Sequence, residues 1–89
     1  MNEDEVTLAA RSAYEAVRAY RRQIGRVDML PWIDAGYTKQ TAYEQAVRDS
    51  ARGKQRPLVD VEEVLIKAVT TALIEWRKVE NDDSTRPSR

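Results

Sequence analysis

Four consecutive side chains, Thr38, Lys39, Gln40 and Thr41, carry the most specific chemistry in the chain. They are three neutral hydrogen-bonding groups and one cation, with no strong nucleophile, base or soft ligand among them. They follow Gly36 and Tyr37, where a turn is expected to hand over to a helix. At a helix N-terminus the free backbone N–H groups and the positive dipole end attract phosphate. From the same place Lys can read guanine and Gln adenine in the major groove of duplex DNA. The chemistry on offer is recognition of a polyanion and its base edges.

Arginines extend this set. Arg48 and Arg52 are four apart and share a helical face, and Lys54 and Arg56 follow in the next loop. Arg18, Arg21, Arg22 and Arg26 close an earlier predicted helix and enter the turn after it, with Arg22 and Arg26 expected to join the phosphate contacts. If the two groups converge, they straddle a phosphate backbone and give salt-sensitive affinity by counterion release. The competing expectation is a solvated face whose arginines pair with Glu15, Asp28 and Asp49. Tyr37, in the turn, is the aromatic expected to be exposed; the others sit on periodic stripes that read as core.

Catalysis is disfavoured by what is missing. The 89 residues include no His and no Cys. That removes Ser-His-Asp and Cys-His pairs, disulfides, thiol redox couples and zinc fingers. Asp60, Glu62 and Glu63 are adjacent, but Asp60 and Glu63 fit helix capping better than a metal site. No Gly-rich phosphate loop occurs. No enzymatic activity, metal or cofactor is therefore expected.

Four helices are predicted to position these groups. The first spans about 3–24. Asn2 caps it, Glu5 completes a capping box, and Gly25 stops it. Val6, Ala10, Ala13, Val17, Tyr20 and Ile24 recur at alternating steps of four and three, one helical stripe. The second is short, about 28–35, with Asp28 as cap, Pro31 in the first turn and Gly36 as stop. The third spans about 38–51, capped by Thr38, with Tyr43, Ala46, Val47 and Ser50 inward and Gly53 after it. The fourth begins at Asp60, with Glu63 closing a second capping box. Val61, Val64, Leu65, Ala68, Val69, Ala72, Leu73, Trp76 and Val79 make an arc wider than one small domain needs, with Ile66 and Ile74 at its edge.

The stretch Ala35-Gly36-Tyr37-Thr38-Lys39-Gln40-Thr41-Ala42-Tyr43 resembles the Ala-Gly-Tyr-Ser-x-x-Thr-Ala-Tyr segment of phage small terminase subunits and related phage helix-turn-helix proteins. The likeness covers residues 32–43. It implies that this segment is a DNA-binding element and that a later helical region drives ring assembly. It implies no enzymatic activity, and it leaves packaging, repression and excision control open.

Charge order agrees with a local basic site. There are fifteen basic and fifteen acidic side chains, so the formal net charge is zero. Residues 1–10 hold three acids and no base, residues 11–56 ten bases and five acids, and residues 57–89 five bases and seven acids. The zero is a cancellation around a basic middle. No run of about 18 apolar residues suggests a membrane span, and the acidic start lacks the order of a signal peptide, so a cytoplasmic location is expected. Leu, Ile and Val number only eighteen and Phe is absent, a thin supply for a core, which favours oligomerisation.

The expected architecture is all-α: one compact four-helix domain over 1–80, three helices long and one short, with a helix-turn-helix-like central pair. Residues 81–89 are expected to be a disordered tail. The expected partners are duplex DNA and further copies of the chain, as a homodimer or higher oligomer joined through Val61, Ile66, Val69, Leu73 and Ile74. The alternative is a helical adaptor, inhibitor or particle subunit that binds another protein and no DNA.

Overall fold

The structure, a computed structural model, describes residues 1–54, 57 and 60–85, with side chains as far as Val79 in the last helix. Among these the fold is all-α. Three α-helices occur, α1 (Glu3–Gln23), α2 (Tyr37–Ala51) and α3 (Val61–Thr85), with one 3-10 turn at Trp32–Asp34 between the first two.

The expected capping of α1 is realised in full. The Asn2 side chain accepts from the Glu5 N–H, and the Glu5 carboxylate accepts from the Asn2 N–H. Glu3, Asp4 and Glu5 fill the first turn and Arg21 and Arg22 the last, the order the helix dipole favours. Beyond the C-cap, Gly25 has φ +88, the left-handed conformation that ends many helices. At the head of α3, Asp60 accepts from the Glu63 N–H.

Two expectations about helix extent are corrected. Residues 28–35 make no α-helix beyond the single 3-10 turn. Pro31 is extended (φ −58, ψ 157), and a residue preceding proline is itself pushed away from helix. The carbonyls that a helix would need are taken by α1. Tyr14 donates its hydroxyl to the Leu30 carbonyl, Arg18 Nε donates to Met29 O at 3.1 Å, and the Trp32 N–H reaches Glu15 Oε2 at 2.8 Å. Segment 24–36 is thus a strap pinned by side chains. The second correction concerns the C-terminus. Residues 81–85 belong to α3, where a tail was expected from 81. No Gly or Pro separates Pro57 from Pro87, so continuing the helix needs only propagation. Residues 86–89 of the expected tail lie outside the described residues.

Contacts at both ends fix the helix directions. Glu3 pairs with Arg48 and Tyr14 meets Tyr43, so α1 and α2 are antiparallel. Glu5 pairs with Arg77 and Arg21 with Glu62, so α1 and α3 are antiparallel too. The core lies where all three meet. It comprises Val6, Ala9, Ala10, Ala13, Tyr14 and Val17 of α1, Tyr43, Ala46 and Val47 of α2, and Ile66 of α3. Four small alanines let the helices approach closely. Tyr14, Trp32 and Tyr43 supply the bulk, with ring centroids 5.3–6.5 Å apart in edge-to-face pairs.

Candidate nucleic-acid interface

Helix α2 carries half of the residues singled out for recognition. It starts one residue earlier than expected, at Tyr37, with Gly36 as the N-cap in place of Thr38. Gly36 has φ +92, a conformation that a β-carbon would strain. With Tyr43, Ala46 and Val47 turned inward, positions 38, 41, 45, 48 and 52 ride the opposite side in steps of three and four. Thr38, Gln45 and Arg52 are exposed there, and Thr41 and Arg48 are half-buried. Gln45 is the member of this row that sequence reasoning missed. Its signal was available, since it follows once the inward face is fixed.

Several expected contact groups already have partners. Gln40 Nε2 donates to the Trp32 carbonyl at 2.7 Å, fastening α2 to the strap. Lys39 Nζ lies 3.8 Å from Glu62. Arg48 Nη2 lies 2.7 Å from Glu3 in the first turn of α1. Arg18 pairs with Glu15 at 3.0 Å, as the competing expectation had it, while Arg21 pairs with Glu62 at 3.4 Å. The acids of α2 are engaged as well. Glu44 accepts from the Thr7 hydroxyl, and Asp49 accepts from Gln45.

Arg22, Arg26, Arg52 and Lys54 are exposed, and among the described residues none of the four has an ion pair. They do not converge into one patch. Arg22 lies in the last turn of α1 and Arg26 just beyond it, at the end that the Arg21–Glu62–Lys39 contacts place beside the start of α2. Arg52 and Lys54 lie at the other end of α2. The two pairs therefore bracket a helix of 15 residues, about 22 Å long at 1.5 Å per residue. Arg56 lies outside the described residues. Tyr37 is 82% exposed, as expected of the turn aromatic, and Ile33 in the 3-10 turn is 84% exposed, which no periodicity announced.

Behind this surface, Glu62 is a junction of the three helices. It accepts the Tyr43 hydroxyl and faces Arg21 and Lys39. Burial, reinforced by the bond to Glu62, holds the Tyr43 phenol protonated well above the ordinary tyrosine range. Tyr14 is also raised, chiefly by burial and then by Glu15. Among the described residues no cluster of three carboxylates gathers as a cation site, and no helix is long and apolar enough to cross a membrane.

The expected self-association residues are placed differently from the expectation. Ile66 is buried in the core, Val69 and Leu73 pack against it, and Val61 and Ile74 are half-buried. Ile66, Val69 and Leu73 thus serve the packing of the bundle. Among the described residues the outward apolar positions of α3 are Val64, Ala68, Ala72, Trp76 and Val79.

No protein-family model matches the chain, and comparison with curated proteins and with solved structures finds no match.

Proposed function

We propose that the protein binds duplex DNA through the outer row of α2. The observation that carries this reading is the row itself with its flanks. Thr38, Thr41, Gln45, Arg48 and Arg52 include no acid, and cations without ion pairs among the described residues stand at both ends of the helix. A span of about 22 Å exceeds the roughly 12 Å width of the major groove. Arg22 and Arg26 on one side and Arg52 and Lys54 on the other can then meet phosphates of the two bounding strands. Thr41 and Gln45 face the base edges between them. The resemblance of residues 35–43 to phage DNA-binding proteins points the same way.

The test is fluorescence anisotropy of a labelled duplex titrated with the full chain between about 50 and 200 mM salt. Affinity should fall linearly with salt on logarithmic axes. Arg52→Ala should weaken binding to all sequences alike and reduce the slope by about one. Gln45→Ala should instead alter sequence preference. Absence of binding at the lowest salt refutes the reading.

A second reading, a protein-binding module, is supported by one specific observation: Trp76 is 58% exposed beside an apolar groove between α1 and α3.

A further inference from the structure

We propose that the outer face of α3, with the adjoining edge of α1, is a self-association surface that pairs antiparallel with a second copy of the chain. The claim is independent of DNA binding.

The face is apolar where a monomer gains nothing from it. Val64, Trp76 and Val79 are 47%, 58% and 51% exposed, and Ala68 and Ala72 between them are exposed as well. Positions 64, 68, 72 and 76 are successive steps of four, so they form one ridge along the helix. Beside it runs the groove between α1 and α3, lined by Leu8, Ala9, Ser12, Ala72 and Trp76 among others. Its lining mixes the small Ala9, Ser12 and Ala72 with the apolar Val69 and Leu73. Leu8, on the α1 rim, is 44% exposed.

Charge register identifies the occupant. Lys67, Thr71 and Glu75 are exposed and lie on the neighbouring ridge, again in steps of four. A two-fold axis at Thr71 sets Lys67, about 6 Å along the helix, level with the partner's Glu75, and Glu75 level with the partner's Lys67. The same operation leaves Ala68 offset by about 3 Å along the axis from the partner's Ala72, and Val64 by the same amount from the partner's Trp76, so the apolar side chains still meet. The ridge is complementary to its own reverse, as an isologous contact requires. Among the described residues Glu75 has only a weak competitor, Lys78 at 3.7 Å with both side chains about two-thirds exposed. A net charge of zero adds no repulsion between copies.

Sedimentation equilibrium of the full chain, from about 10 μM to 1 mM, should show the mass rising from 10.2 kDa toward twice that value. Ala72→Glu should weaken association at least about tenfold while leaving the circular dichroism spectrum unchanged, because the site is exposed. Lys67→Glu and Glu75→Lys should each weaken it several-fold. The double exchange should return it to within about twofold of the parent, since both cross-pairs re-form with reversed sign. A 10.2 kDa particle at the highest concentration overturns the proposal. So does Ala72→Glu associating like the parent, or a double exchange no tighter than the single variants.

Discussion

The Tyr43 hydroxyl donates to the Glu62 carboxylate and so ties the inner face of α2 to the first turn of α3. Tyr43 is 3% exposed, and Glu62 also receives Arg21 and Lys39. Burial first, and the Glu62 bond second, raise the phenol above its usual value of 10.0. In the unfolded chain the phenol regains that value. Above it the unfolded state releases a proton that the folded state retains, so stability falls as pH rises. The contribution is complete below pH 10 and is lost above it. Urea denaturation across the alkaline range should show this decline. Tyr43→Phe should flatten it, and should cost about 1–2 kcal/mol at neutral pH for the lost bond to a carboxylate.

Gln40 is in place to support the fold whether or not DNA is bound. Its amide donates to the Trp32 carbonyl and so joins the strap to α2, beside the Trp32–Tyr43 ring contact. Gln40→Ala should lower stability by about 1 kcal/mol, the usual worth of a neutral hydrogen bond, as read by thermal unfolding without ligand. Lys39→Ala should change it less. The Lys39 side chain is 47% exposed, and Glu62 keeps Arg21 and Tyr43 without it.

Thr70 is a defect that invites repair. It is 1% exposed, and its hydroxyl has no hydrogen-bond partner among the described residues. A buried polar group left unbonded costs free energy that an isosteric methyl does not. Thr70→Val should therefore stabilise the fold by about 1 kcal/mol, seen as a higher urea midpoint at unchanged slope. A lower midpoint means that the hydroxyl is bonded in solution, for instance to water.

The parts of the fold legible in the sequence were those written in local spacing. Asn2 and Glu5 are three apart, and their reciprocal cap could be read directly. Val6, Ala10, Ala13 and Val17 announced the inner face of α1, and Tyr43, Ala46 and Val47 that of α2. The same stripe overran its end, since Tyr20 and Ile24 are 45% and 54% exposed beyond the reach of α3 packing. Residues 28–35 failed for a different reason. Asp28 before Pro31 has the look of a helix start, yet Tyr14 and Arg18 claim the carbonyls from 16 and 11 residues away. The arc of α3 showed how much apolar surface it carries but not which side meets α1. Ile66 proved to be inward and Trp76 outward, with Arg77 beside it closing onto Glu5.

The contact of Glu3 with Arg48 bridges 45 residues and places a carboxylate on the row of α2 offered to DNA. Glu3 is 78% exposed and Arg48 27%, so the acid is the more solvated member and the guanidinium the more buried one. A phosphate reaching Arg48 must displace that carboxylate. Glu3→Gln removes the competitor while keeping the side-chain length. Duplex affinity should then rise several-fold at low salt, and the gain should shrink as salt screens the acid. Fold stability should change by less than about 1 kcal/mol, as for other exposed pairs. Asp4→Asn supplies the control. It deletes an equal charge in the same turn from a side chain without an ion pair among the described residues. A gain from Glu3→Gln well above that from Asp4→Asn assigns the effect to the Arg48 contact. Equal gains assign it to general charge, and Arg48 then takes no part in binding.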